Sequence, residues 1–185
     1  MVGFDAQSDF CALSVSLPIK IINHESFSDM ITMKLLGIRT SPKSIRYAIL
    51  DCEGQTVVFL NADTENKIDF PAEIQTSEKK ISWLFKEFQR ILEIHPEVKC
   101  VTIKSNEFTP GRESGSSREA AYLDGTILLA SELNQKKVVT KMYRMMNTNR
   151  RDVKALAEQK VGRCSHYWDE QIADAIIAAW SSRCI

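Results

Sequence analysis

Two apolar runs decide the fold: MKLLGI at residues 33–38 and IRYAIL at residues 45–50. A third run of the same kind, TVVFL, follows at residues 56–60. All three are short and rich in β-forming residues, and the turns between them contain Pro42 and Gly54. Three successive strands with short connections predict an antiparallel meander.

The rest of the chain alternates between helical and strand patterns. A helical pattern ends at Pro96, and a buried strand is predicted at residues 98–103. Ser116 and Glu119 have the spacing of a capping box for the next helix, and a fifth strand is predicted at residues 138–143 before two final helices. The order predicts an α/β fold with a mixed five-stranded sheet, in which two parallel strands extend the meander.

The polar stretch at residues 61–76 carries no predicted strand. Residues 1–32 are mixed in character and are predicted to be an N-terminal extension with one strand at most. The folded domain is therefore predicted to span residues 33–185.

Composition limits the class of protein. Lysine plus arginine and aspartate plus glutamate both number 24, so net charge does not indicate a partner. The 5 cysteines are scattered and form no C-x-x-C pair, which favours a reducing compartment. Since no apolar run approaches the roughly 20 residues of a membrane helix, we expect a soluble, cytoplasmic protein.

Three short motifs follow one another along the chain: LLGIRT at residues 35–40, VTIK at 101–104 and QIADAIIA at 171–178. In this order they resemble the first strand, the end of the fourth strand and the last helix of RuvC-type resolvases in the ribonuclease H-like superfamily. The chain also resembles a small uncharacterised bacterial family whose fourth strand likewise ends in V-I-K. The resemblance implies a ribonuclease H-like fold.

The same alignment implies a degenerate metal site. The family's catalytic Asp falls on Arg39, its Glu on Lys104, and the two carboxylates of its last helix on Gln171 and Asp174. Two-metal cleavage needs several carboxylates around Mg²⁺, whereas two cations repel a divalent ion. We therefore expect no metal and no metal-dependent activity, and predict an ion cluster of Arg39, Asp174 and Lys104.

A shifted carboxylate site is the alternative. Glu107 follows the fourth strand and Asp169 precedes the last helix, so these two residues and Asp174 are candidates for catalysis with Mg²⁺. Glu119 and Asp124 are interpreted as residues at the start of their helix, where carboxylates serve the helix dipole. His166 precedes the last helix and is a weaker candidate for acid-base chemistry.

Local charge indicates a phosphate-binding surface. The segment between Lys136 and Arg163 contains nine basic residues and only two acidic ones, Asp152 and Glu158. The corresponding segment of resolvases contacts the nucleic-acid backbone, and positive charge suffices for such contacts. The residues predicted to bind nucleic acid are Lys141, Arg144, Arg150, Arg151 and Lys154.

Three functions remain open from the sequence. The leading one is a nucleic-acid-binding protein without metal-dependent cleavage, with DNA and RNA both open as ligands. The second is a divergent Mg²⁺-dependent nuclease. The third is a protein-interaction module that forms a homodimer, with the N-terminal extension as a candidate interface.

Overall fold

The computed structural model describes residues 32–107 and 114–183. The predicted N-terminal extension lies outside the described residues, apart from Thr32, which begins the first strand. The strands are β1 Thr32–Thr40, β2 Ser44–Glu53, β3 Thr56–Phe59, β4 Lys67–Asp69, β5 Val98–Lys104 and β6 Lys137–Lys141. The helices are α1 Ser77–Ile94, α2 Gly115–Leu133, α3 Val153–Val161 and α4 Glu170–Trp180, with a 3-10 turn at Tyr143–Met146.

The sheet has the predicted mixed topology. Its strand order is β3-β2-β1-β5-β6, with β1, β2 and β3 antiparallel and with β5 and β6 parallel to β1. The prediction of five strands is wrong by one, because β4 pairs with the start of β2. This strand has three residues, of which only Ile68 is buried, and so it shows no period in the sequence.

Helices cover both faces of the sheet. The α1 and α2 side packs on Leu36 and Ile38 of β1, whereas the α4 side packs on Leu35. This division follows from the alternation of side chains along a strand. No helix among the described residues is long and apolar enough to cross a membrane.

The start of α2 differs from the prediction. The helix begins at Gly115 with Ser114 as its N-cap, and the Ser114 hydroxyl accepts a hydrogen bond from the Ser117 amide at 3.2 Å. The predicted capping box is therefore wrong, because Glu119 instead accepts a hydrogen bond from Lys80 at 2.8 Å. Several serines follow one another here, and each is a competent N-cap.

Gly37 sets the distance between β1 and α4. A Cβ atom placed on Gly37 would lie 1.9 Å from the Ala175 carbonyl oxygen and 2.8 Å from the Ala179 amide nitrogen. Every residue of α4 from Ile172 to Ala179 is buried, so the helix is enclosed and has little freedom to move away. Only glycine fits at position 37.

We expect Gly37→Ala to destabilise the fold by about 3 kcal/mol or more, because overpacking would push α4 off the sheet. Chemical denaturation monitored by circular dichroism measures this change. Gly115→Ala is the matched control, since a Cβ at Gly115 meets nothing within 4 Å. Equal stability of the two variants would contradict the assigned packing.

Candidate functional site

Four basic residues form a row across the sheet on its α4 side. Arg39 of β1 pairs in register with Arg46 of β2, and Lys104 of β5 pairs with Lys141 of β6. Arg39 and Lys104 are neighbours as well, because the Arg39 Nη1 donates a hydrogen bond to the Lys104 carbonyl at 3.1 Å. Adjacent strands lie roughly 5 Å apart. We call these four residues the basic row.

Helix α4 supplies partners for three members of the row. Asp169, its N-cap, binds Arg46 at 2.5 Å, and Asp174 lies 3.3 Å from the Arg39 Nε. At the other end, the Lys141 ammonium donates to the Ser181 carbonyl at 2.7 Å. A cation at a helix C-terminus interacts favourably with the helix dipole. From its N-cap to its C-terminal end, the helix therefore supplies the carboxylates and the carbonyl that balance the charges of these three cations.

Lys104 is the most enclosed cation, with only 1% of its surface exposed. Its ammonium lies 3.2 Å from the Glu107 carboxylate and 3.8 Å from the centre of the Tyr143 ring. Burial lowers the pKa of Lys104 below its ordinary value, and the charge of Arg39 lowers it further. Glu107 also accepts a hydrogen bond from the Tyr143 amide at 2.6 Å, which ties β5 to the segment after β6.

Asp174 is completely buried. Burial raises the pKa of this carboxyl to about 6, although the charges of Arg39 and Lys104 and the nearby Tyr143 hydroxyl act in the opposite direction. The structure thus brings together Arg39, Asp174 and Lys104 as neighbours, but the ammonium of Lys104 pairs with Glu107.

Asp124 approaches the same strand ends from the other face of the sheet. Its carboxyl accepts a hydrogen bond from the Thr40 hydroxyl, and burial raises its pKa to about 6 against the charges of Arg39 and Lys104. The interpretation of Asp124 as a residue at the helix start is wrong, since it lies near the middle of α2. No feature of the sequence predicts that Asp124 lies over the end of β1.

The carboxylates predicted for a shifted nuclease site do not gather at one point. Asp169, Asp174 and Glu107 bind three different cations of the row, and Asp169 also caps α4 through the Ile172 amide. Among residues 32–107 and 114–183, no group of three or more His, Cys, Asp or Glu side chains has an arrangement that could hold a metal ion. The donor set therefore does not fit a two-metal centre of the kind used for phosphodiester cleavage.

Gln171 and His166 stand apart from the row's ion pairs. Gln171 is half-buried in the first turn of α4, and its side-chain oxygen has no hydrogen-bond partner among the described residues. His166 is exposed in the loop before α4.

Four of the five residues predicted to bind nucleic acid are exposed. They are Arg144 in the 3-10 turn, Arg150 and Arg151 in the loop after it, and Lys154 in the first turn of α3. Arg150 lies 2.9 Å from Glu170. Lys141 is buried, and its ammonium is bound at the end of α4, which does not agree with a surface contact. We call residues 143–154 the basic segment; Tyr143 places it beside the basic row.

Arg46 and Tyr143 are site residues that sequence reasoning missed. Arg46 interrupts an apolar strand, which is a usable signal because β2 is buried on both faces. The sequence predicts Tyr143 as the last residue of a strand, and nothing in its neighbours indicates a contact with Lys104.

Comparison with known proteins identifies the fold. No family model matches the chain, and no curated protein matches it by sequence. Among solved structures, Thermus thermophilus RuvC in complex with a Holliday junction substrate aligns with a TM-score of 0.66 and 13% identity, over 80% of this chain and 92% of that one. A second structure of Thermus thermophilus RuvC gives a TM-score of 0.65 at 12% identity, with the same coverage.

A third neighbour is the yeast mitochondrial Holliday junction resolvase, with a TM-score of 0.53 and 14% identity over 81% of this chain and 77% of that one. The chain therefore has the ribonuclease H-like fold, as the sequence motifs predict. Its structural neighbours within that fold include RuvC-type resolvases.

The two raised carboxyl pKa values predict an unusual pH dependence of stability. Asp124 and Asp174 release protons near pH 6 when folded, against an ordinary value of 3.8. Between about pH 4 and 6 the folded protein holds protons that the unfolded chain has lost, so the free energy of unfolding falls as the pH rises through this window. The loss is roughly 2 to 3 kcal/mol for each carboxyl.

Urea denaturation at several pH values compares the wild type with the double variant D124N/D174N. We expect the fall across this window to disappear in the double variant, whatever its absolute stability. Asp63→Asn, at an exposed position, is the control and should keep the wild-type slope. Identical slopes in all three proteins would contradict the assigned pKa values.

Proposed function

We propose that this protein binds the phosphate backbone of nucleic acid and does not cleave it by a two-metal mechanism. The observation that carries the proposal is the position of the basic segment, whose exposed cations lie beside a row of three buried cations and the half-buried Arg39. Exposed arginine and lysine side chains supply the salt-dependent, sequence-independent part of nucleic-acid affinity. Shared fold with RuvC, which has been solved with a Holliday junction substrate, supports a nucleic-acid ligand.

The ion pairs of the row support the absence of two-metal cleavage. Asp174 faces Arg39, and Glu107 faces Lys104, so a divalent ion would meet positive charge beside each of these carboxylates. Bringing Mg²⁺ into this site would also separate the buried Asp174 carboxylate from Arg39, and leaving a buried charge without its partner costs several kcal/mol. Direct pairing replaces the metals as the source of charge compensation.

We expect R150E/R151E to weaken binding to duplex and branched DNA and to reduce the slope of log affinity against log salt by about 2, because each lost phosphate contact removes roughly one. Fluorescence anisotropy at a series of salt concentrations measures both. The control is K79E/K99E, which makes the same charge change at exposed positions of α1 and β5, outside both the basic segment and the apolar groove between α1 and α2. An equal loss of affinity in both double variants would contradict the proposed interface. Wild-type affinity that does not change with salt concentration would contradict it as well.

The same DNA substrates test for cleavage. Incubation with Mg²⁺ or Mn²⁺ should leave duplex, branched DNA and RNA–DNA hybrids intact. Metal-dependent cleavage that disappears in D174A would overturn this part of the proposal in favour of the divergent nuclease.

We further propose that the protein self-associates through α1 and α2. A groove of about 620 Å³ runs between these helices, and its lining includes Phe85, Tyr122 and Leu129. Leu129 and Leu133 expose more than half of their surface along the same helix. Gly125 leaves room at the centre, since a Cβ there meets nothing within 4 Å. A second copy presents the same stripe and would cover it by two-fold symmetry.

We expect a dimer for the wild type and a monomer for Leu129→Asp, which would place a charge in the apolar contact. Light scattering coupled to size exclusion measures the mass. Val58→Asp, at an exposed apolar position on β3, is the control and should stay dimeric. A monomeric wild type at high protein concentration would refute self-association.

We also propose that the protein is cytoplasmic. Cys100 and Cys164 are buried free thiols, which agrees with a reducing compartment.

A further inference from the structure

A second groove lies at the Arg46 end of the basic row, and Arg150 of the basic segment contributes to its lining. Its volume is about 700 Å³, and it opens between the start of β2, strand β4 and the first turns of α2 and α4. Its lining includes Lys43, Arg46, Lys67, Ser116 and Gln171. Arg39, Lys104 and their carboxylate partners do not line this groove.

Arg46 lines this groove and carries a donor without a hydrogen-bond partner. Its side chain is 8% exposed, and two of its nitrogens bind Asp169, at 3.1 Å from Nε and 2.5 Å from Nη2. The third nitrogen, Nη1, has no hydrogen-bond partner in the part of the chain that the structure describes. A buried guanidinium nitrogen without an acceptor is costly, and so an incoming anion would be stabilised there.

The charge of the groove also favours an anion. Four cations line it, and its three carboxylates are each already held by one of them. The pairs are Arg46–Asp169, Lys67–Asp69 and Arg150–Glu170. The fourth cation, Lys43, is exposed at the rim, and the N-terminus of α4 adds a partial positive charge.

An exposed aromatic ring stands next to the groove. Tyr167, in the loop before α4, has 56% of its surface exposed and a left-handed backbone with φ of 58°. Two groove residues hold its ring: the Lys67 ammonium lies 4.8 Å and the Arg46 Cζ 5.3 Å from the ring centre. An exposed tyrosine fixed beside a phosphate-binding groove is suited to stack on a nucleobase.

We propose that the groove and Tyr167 form a binding site for one unpaired nucleotide of a nucleic-acid strand. Its phosphate binds Arg46 and Lys43, and its base stacks on Tyr167. This inference rests on the proposed nucleic-acid function and names the substrate class: DNA or RNA with an unpaired segment, in preference to a fully paired duplex.

The test compares a blunt duplex with the same duplex carrying a single-stranded oligothymidine tail. We expect the wild type to bind the tailed duplex roughly tenfold more tightly, as one base stacked on an aromatic side chain contributes that much. Tyr167→Ala and Lys43→Ala should each reduce this preference, whereas Tyr167→Phe should keep it because the ring remains. Lys79→Ala, on α1, is the charge control. Substitution of the buried Arg46 is avoided, since such a variant can fail to fold.

Two further arms identify the ligand. A tail that carries 5-iodouracil should cross-link to Tyr167 on irradiation, as located by mass spectrometry. Thymidine monophosphate should compete only weakly, because the rest of the strand adds contacts with the basic segment; competition as strong as that of the tail would show a free-nucleotide site and overturn the assignment to a strand.

The outcomes separate this inference from the proposed function. If the wild type binds both duplexes equally with salt dependence, or if Tyr167→Ala keeps the preference, the unpaired-nucleotide site is wrong and the backbone-binding function stands. If neither duplex binds, both proposals fail.

Discussion

The close packing of α4 on β1 at Gly37 is the contact on which the rest of the structure depends. It leaves no space for a side chain at that position, and it fixes the height of the helix above the sheet. Arg39 lies two residues further along the same strand face, and so the contact also decides where Asp174 meets Arg39. One backbone contact therefore sets both the packing of the layer and the geometry of the charged site.

The basic row reverses the usual charge arrangement at such strand ends. In two-metal nucleases, carboxylates gather and divalent cations compensate them. In this protein the strands carry the cations, and carboxylates from α4 and from the loop after β5 compensate them. Burying these ions costs desolvation energy, so the row is not a source of stability; its pairs instead define one arrangement of α4 over the sheet.

Much of this architecture could be predicted from the sequence, but the partners within it could not. Apolar runs revealed β1, β2, β3 and β5 because their burial leaves a regular pattern. β4 was not predicted because a strand of three residues is too short to show an alternation of apolar and polar side chains. The order of the motifs predicts that Arg39, Lys104 and Asp174 lie close together. Arg46 belongs to the row because β2 pairs with β1 in the register that sets Arg46 opposite Arg39.

Lys141 shows a different kind of failure. The basic residues around Lys141 in the sequence predict that it is exposed and binds nucleic acid. The alternation of side chains along β6 instead places Lys141 on the α4 face of the sheet, where it is buried. Asp124 had no signal at all, since a helix sequence does not indicate which of its turns will lie above the end of a strand. Local composition predicts exposure poorly where a strand, and not a loop, carries the charge.

The coupling of Arg39 to Lys104 has a consequence for how this site can change over evolutionary time. Replacing Arg39 alone by an acid would leave the buried Asp174 beside a second negative charge, whereas a new acid at position 104 would face Glu107, whose side chain is 40% exposed to water. The Arg39 step alone therefore passes through a destabilised protein, and its cost depends on whether the cation at position 104 is still present. The order of substitutions thus constrains how the charge of this site can change in sequence space.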